Sequence, residues 1–207
     1  MEKDDVIQKI HDCLLMGVVR SDTLEGNLAH AKAYIDGGVR VLEISAASAQ
    51  PTETIARLKQ EYGSDVVVGA GTVLDDITAR LMMLSGADFI AAPTYALDVT
   101  KICNRYQVLY LPTCFTSNEI ADALEHGLTL AKLFPGELYP ASVANVLQKM
   151  YHGIRLISAG GANIENIEEW LSIGIWGVGL VFSSSDLDKV TADSRAFVDK
   201  INKLKAQ

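Results

Sequence analysis

Short apolar runs recur along the chain, beginning near Leu14, Val39, Val66, Asp88, Gln107, Leu128, Ile154 and Ile175, at intervals of roughly 20 to 27 residues. Several, such as VVVGA and VLYLP, are apolar almost throughout instead of alternating, the pattern of a strand covered on both faces. Between them lie stretches with helical periodicity, over 24–36, 51–62, 75–85, 97–105, 117–125, 141–150 and 163–172, and a last one over 187–205. Gly37-Gly38, Gly86, Gly127, Gly153 and Gly174 each stand just before a new apolar run, where a left-handed residue ends a helix. Helix openings are marked by Pro51, by Asp75 and by Thr116 or Ser117.

Eight strands, each followed by a helix, predict an α/β fold. The economical arrangement is a (β/α)8 TIM barrel with an extra N-terminal helix, built as a single domain over 1–207. An open doubly wound sheet is the alternative, because periodicity does not report closure. No linker, low-complexity segment or second domain interrupts the pattern.

Composition narrows the function. Of the 207 residues, 49% are hydrophobic and 21% charged, which is globular usage. The net charge of −8 carries no basic cluster, which argues against nucleic-acid and anionic-membrane partners and for a small polar ligand. Cys13, Cys103 and Cys114 show neither CxxC nor Cys/His spacing, so neither a disulfide framework nor a metal site is expected, and a reducing cytoplasm is the default. The first twenty residues lack the sustained apolar core of a signal peptide, and no stretch is long enough to span a membrane.

Ligands of parallel α/β folds bind beyond the carboxyl ends of the strands. The residues that finish the runs are Arg20, Glu43 with Ser45, Gly69-Ala70-Gly71-Thr72, Pro93-Thr94, Pro112-Thr113, Lys132, Ser158-Ala159-Gly160-Gly161, and Gly179 leading to Ser183. Lys132 is a cation inside LTLAKLFP. Burial disfavours its ammonium form and leaves some free amine able to attack a ketone and form a Schiff base; the competing reading is a lysine reaching out to solvent or pairing with a carboxylate. Glu43 raises the same question inside VRVLEIS, as a proton shuttle beside the lysine or as half of a chemically idle ion pair. The glycines of SAGGAN could present backbone N–H groups to an anion in the strand-seven loop, or form an ordinary turn. His11, His30, His126 and His152 read as surface or packing residues. Cys114, in the predicted loop after the fifth strand, could touch the site but has no histidine to activate it.

Five segments carry a family resemblance over nearly the whole length: GGVRVLEI (37–44), VGAGTVLD (68–75), GADFIAAPT (86–94), KLFPGELY (132–139) and the glycine pair of SAGGAN. The chain resembles the 2-keto-3-deoxy-6-phosphogluconate (KDPG) and 4-hydroxy-2-oxoglutarate (KHG) aldolase family, including its 6-phosphogalactonate branch. The resemblance implies a class I aldolase on a trimeric barrel that needs no metal or other cofactor. Lys132 would form the Schiff base, Glu43 would be the general acid/base, and Thr72 would hold the pyruvate-derived portion. Pro93 and Thr113 are further candidate substrate-binding residues. Gly160, Gly161 and Ser183 would face the phosphate.

Departures from the family pattern fall at the loops. Ala47 stands where many relatives carry a carboxylate-binding Arg, and the galactonate branch, which has Asn there, is the nearer match through Ser48-Ala49-Gln50. Ser158-Ala159 lacks a threonine hydroxyl, and Gly179-Leu180-Val181-Phe182-Ser183 departs from the family's Gly-Ser string. Arg20 is the candidate replacement anchor for the carboxylate. The expected activity is cleavage of a 2-keto-3-deoxy-6-phospho sugar acid to pyruvate and an aldehyde. The alternatives are an aldolase for 4-hydroxy-2-oxoglutarate or another unphosphorylated substrate, and a non-catalytic barrel that binds a sugar acid or phosphate.

Overall fold

The computed structural model describes residues 1–182 and 184–206. Helix α1 (Lys3–Cys13) precedes β1 (Leu15–Val19). There follow α2 (Leu24–Asp36), β2 (Val41–Ser45), α3 (Pro51–Tyr62), β3 (Val67–Gly71), α4 (Asp76–Leu84), β4 (Phe89–Ala91) and α5 (Leu97–Tyr106). The second half holds β5 (Leu109–Leu111), β6 (Thr113–Cys114), α6 (Ser117–Glu125), β7 (Leu130–Leu133), α7 (Ala141–Met150), β8 (Arg155–Ala159), α8 (Ile167–Ser172), β9 (Gly177–Leu180) and α9 (Leu187–Lys205). All strand pairs are parallel, in the order β5-β4-β3-β2-β1-β9-β8-β7-β6.

The fifth strand, expected as one run, is divided into β5 and β6 at Pro112. Proline has no N–H to give to a ladder. The interrupted segment nonetheless closes the ring. The Thr113 N–H donates to the Ala92 carbonyl at 3.1 Å on the β4 side, and the Lys132 N–H donates to the Pro112 carbonyl at 2.8 Å on the β7 side. The result is a TIM-type barrel with eight strand positions, and the open-sheet alternative is set aside.

Alternation along each strand divides the core in two. Outward residues such as Leu42, Ile44, Val68, Ile90 and Leu156 pack under the helices. Inward residues, including Met16, Val41, Val67, Phe89, Leu111, Leu130 and Ile157, fill the lower barrel with Val6 and Ile10 of α1. These two lie four apart on one helix face, so α1 closes the amino-terminal end of the barrel with one apolar stripe. Trp176 sits at this end too, packed on His11 and under the Arg155 guanidinium. The predicted caps form: the Asp75 side chain accepts the Thr78 N–H, and Thr116 with Glu119 makes a reciprocal capping box. The helix expected over 163–172 starts only at Ile167, because the Asn163 side chain accepts the N–H groups of Glu165 and Asn166 and holds that segment as a turn.

Candidate active site

Glu43 is the inward residue at the middle of β2, and Lys132 is its counterpart on β7. These strands are four positions apart in an eight-position ring, so the two side chains cross the barrel from opposite walls. They meet above the apolar layer: Lys132 Nζ donates to Glu43 Oε2 at 2.6 Å. Their side chains are only 7% and 8% exposed, so both charges have left bulk water. A buried pair of this kind recovers little stability beyond its desolvation cost, and a well-packed apolar pair would serve the fold as well or better. The arrangement does give an amine a carboxylate within proton-transfer distance in a dry setting.

Two inward glycines make room for it. A Cβ at Gly69 would collide with the Phe89 ring, and one at Gly71 would stand 2.6 Å from both Cγ and Cδ of Glu43. The GAG segment is therefore the wall against which the carboxylate lies. Thr72 follows immediately, with φ of 58°. That left-handed conformation is rare for a β-branched side chain and costs on the order of 1–3 kcal/mol, strain of a kind that collects at functional sites. Its hydroxyl lies 3.1 Å from Ser45 Oγ.

The pair opens into a cavity of about 720 Å³ at the carboxyl end of the barrel, within the range of small-molecule sites. Thr72, Pro93, Thr113, Gly160 and Gly161 line it with Glu43 and Lys132, so the structure brings these predicted residues together. Thr113 pairs with Lys132 in the ladder. Arg20 is not among them. It lies beyond the end of β1, exposed and outside the lining, because the strand stops at Val19 and the inward–outward register ends there. Ser183 lies outside the described residues. Cys114 is correspondingly removed from the site: it belongs to β6, faces the outer core, and burial pushes its thiol up to about 12.

The acidic lining residues Glu137, Glu165 and Asp193 were given no role from the sequence. Gly160 and Gly161 have φ of 82° and 77° and are packed against Gly136 and Glu137 of the loop after β7. A Cβ on Gly160 would lie 2.6 Å from Glu137 Oε1, so this carboxylate rests on the glycine loop. Glu165 and Asp193 also line the cavity, and Lys132 is the one Lys or Arg among the described lining residues. Ser45 was noted beside Glu43 but not assigned a role; the two-residue period of β2, which puts both on one face, was the available signal. On the outer side, Tyr34 ties the end of β9 to α2: its hydroxyl donates to the Leu180 carbonyl and accepts the Phe182 N–H, both at 3.0 Å. Burial raises this phenol to about 12.

Comparison with known proteins agrees with this geometry. The KDPG and KHG aldolase family model matches residues 6–203. A 2-dehydro-3-deoxy-phosphogluconate aldolase of Treponema pallidum is 29% identical, over 92% of this chain and 94% of its own. A 2-dehydro-3-deoxy-6-phosphogalactonate aldolase of Escherichia coli K12 is 30% identical, over 80% and 82%. A solved structure described as native KDPGal superposes with a TM-score of 0.86 at 27% identity, covering 93% of this chain and 96% of that one. With a buried Lys–Glu pair at the mouth of a parallel barrel and a family model that matches almost its full length, the chain belongs to the KDPG and KHG aldolase family and is, as an aldolase, a lyase.

Proposed function

We propose that this chain is a class I aldolase in which Lys132 condenses with the ketone of a 2-keto-3-deoxy-6-phospho sugar acid, of the phosphogluconate or phosphogalactonate type. The observation that carries the reading is the buried 2.6 Å contact between Lys132 Nζ and Glu43 Oε2. Glu43 accepts a proton from the amine, which attacks the carbonyl carbon, and loss of water leaves a protonated imine. Glu43 then removes the C4 hydroxyl proton. The C3–C4 bond breaks, its electrons pass to the imine nitrogen, and an aldehyde such as glyceraldehyde 3-phosphate departs. Returning the proton to C3 of the enamine and hydrolysing the imine releases pyruvate and restores the amine. Thr72, Pro93 and Thr113 are assigned to the keto-acid end, and the Gly160-Gly161 turn to the phosphate, as the names of the relatives suggest.

Borohydride reduction in the presence of pyruvate tests the chemistry: a reduced adduct is expected on Lys132 and none in Lys132→Met. An unmodified Lys132 would refute its assignment as the Schiff-base residue.

One observation favours a second reading of the substrate. Glu137 rests on Gly160 where phosphate would sit, and no described lining cation besides Lys132 offsets it. Two unit charges 4 Å apart repel by about 1 kcal/mol in water and about 4 kcal/mol at an effective dielectric near 20, and the exposed Glu137 lies toward the lower figure. A 4-hydroxy-2-oxoglutarate or other unphosphorylated substrate avoids this. The ratio of kcat/KM for phosphorylated and unphosphorylated substrates separates the two.

The proposed assembly is a homotrimer. It is supported by apolar side chains left on the surface of α4, where Ile77, Leu81 and Leu84 form one stripe, and of α7, where Val146 and Met150 do. Two unlike patches suit a head-to-tail ring. Light scattering of wild type and Leu81→Asp would show a trimer and its loss. A cytoplasmic setting is supported by three unpaired cysteines. Among the described residues no helix is long and apolar enough to cross a membrane.

A further inference from the structure

Ser45 ends β2, two residues past Glu43 and on the same inward face, and is 3% exposed. Its Oγ accepts the Ala47 N–H at 3.2 Å and lies 3.1 Å from Thr72 Oγ1. Among the described residues these are the partners of that hydroxyl. A hydroxyl has one proton to give and two lone pairs to fill. The Ala47 amide occupies one lone pair, and Thr72 Oγ1 is the acceptor within reach of the Ser45 proton. Were Thr72 the donor, a buried Ser45 proton would be left without an acceptor, which is costly. Thr72 is exposed to the cavity, so its own proton can go to a ligand. The difference in burial sets the direction of the chain.

We infer that Ser45 is a positioning residue: a relay from the Ala47 N–H through Ser45 Oγ to Thr72 Oγ1 aims the Thr72 hydroxyl proton at the carboxylate of the keto acid held by Lys132. The inference rests on the imine chemistry proposed above and goes beyond it. It explains how a carboxylate is held where position 47 is alanine and Arg20 is outside the cavity. The alanine contributes its backbone amide, and two hydroxyls, polarised in series, carry the donor to the ligand. The left-handed backbone of Thr72 belongs to the same device. It is clamped between the Ser45 contact and the adjacent Val73 N–H, which donates to the Ala91 carbonyl at 3.2 Å, so the hydroxyl has little freedom to turn away.

The test uses pyruvate as the probe and reads the pyruvate concentration that gives half-maximal borohydride trapping on Lys132. Ser45→Ala is expected to raise that concentration about tenfold while the limiting yield of adduct holds, since one oriented hydrogen bond to a charged group accounts for roughly that factor. Ser45→Thr restores it to within about twofold. Thr72→Ala raises it by a similar factor, and the Ser45→Ala/Thr72→Ala double variant is no weaker than Thr72→Ala, because Ser45 acts only through Thr72. If Ser45→Ala does not fold, Ser45→Cys, similar in size but a poor donor, replaces it with the same expectation. An unchanged half-saturation in Ser45→Ala, or additive losses in the double variant, overturns the relay and leaves the imine reading intact. A wild-type protein that forms no adduct overturns both.

Discussion

Gly71 offers a way to disable the proposed proton shuttle without touching either charged residue. It ends β3 opposite Ser45 in the ladder and faces the barrel interior. In Gly71→Ala the new Cβ would stand 2.6 Å from Cγ and Cδ of Glu43, so the side chain must retreat by about 0.8 Å to reach ordinary contact near 3.4 Å. That is nearly the whole interval between the 2.6 Å bond to Lys132 and no bond at all. Misplacement by about 1 Å costs on the order of a hundredfold, and loss of a positioned acid/base costs 10²–10⁴. The expected fall in kcat is therefore about 10²–10³, equivalent to about 3–4 kcal/mol on the barrier. Steady-state aldol cleavage measures it, and borohydride trapping with pyruvate should slow, because Glu43 also takes the amine proton, yet still yield the Lys132 adduct because the amine remains. Gly69→Ala is the control: it meets the Phe89 ring instead, so the expected cost is about 1–3 kcal/mol of stability with the chemistry retained. Turnover in Gly71→Ala within about threefold of wild type would refute the assignment of Glu43 as the shuttle.

Lys132→Met leaves a buried carboxylate without its partner and should destabilise by about 3–5 kcal/mol, while Glu43→Leu combined with Lys132→Met should melt at or above wild type; a double variant as unstable as the single one would contradict this account of the pair. Burial holds His30 below its ordinary range, with the Phe182 backbone opposing, and its Nε2 has no partner among the described residues. Below about pH 6.5 the unfolded chain binds a proton that the folded one refuses, so stability falls as pH drops toward the lowered folded value. His30→Gln should flatten the melting temperature between pH 6.5 and 5, and parallel profiles for the two proteins would show that His30 is not responsible. Burial pushes the thiols of Cys103 and Cys114 up to about 12, so a disulfide reagent at pH 8 should modify only Cys13 in the native protein and all three cysteines after unfolding.

Glu43 and Lys132 were legible in the sequence for an energetic reason: a charge inside a strand covered on both faces is expensive, and an idle one is easily replaced by Val or Leu. Their meeting was not legible. They are 89 residues apart, and nothing in a local pattern says that β2 and β7 stand opposite each other in a closed ring. The break at Pro112 follows from a missing N–H and could be read directly. Arg20 has inward parity one residue past the end of β1, and parity fixes a side chain's direction only while the strand continues, so its placement was not legible from the pattern. Glu137 stands in the family segment KLFPGELY, but its approach to Gly160 was not legible, since it depends on two loops from different strands and on the absence of a Cβ.

The division of the barrel interior explains why such an unfavourable constellation is tolerated. Below the ion pair, Met16, Val41, Val67, Phe89, Leu130 and Ile157 form continuous apolar layers closed by Val6 and Ile10. These layers and the outer core supply cohesion, at roughly 25 cal/mol for each Å² of apolar surface removed from water. Above them the upper layer holds a buried charge pair, a strained threonine and two glycines packed against side chains. Each weakens the fold, and each is placed where the strands end and a ligand can enter. With the floor closed by α1, the mouth is the route for substrate, and the water that hydrolyses the imine must come the same way. A bound aldehyde product would stand in that route, so aldehyde departure precedes imine hydrolysis. The aldehyde should therefore inhibit pyruvate release in single-turnover experiments, in proportion to how well it fills the outer cavity.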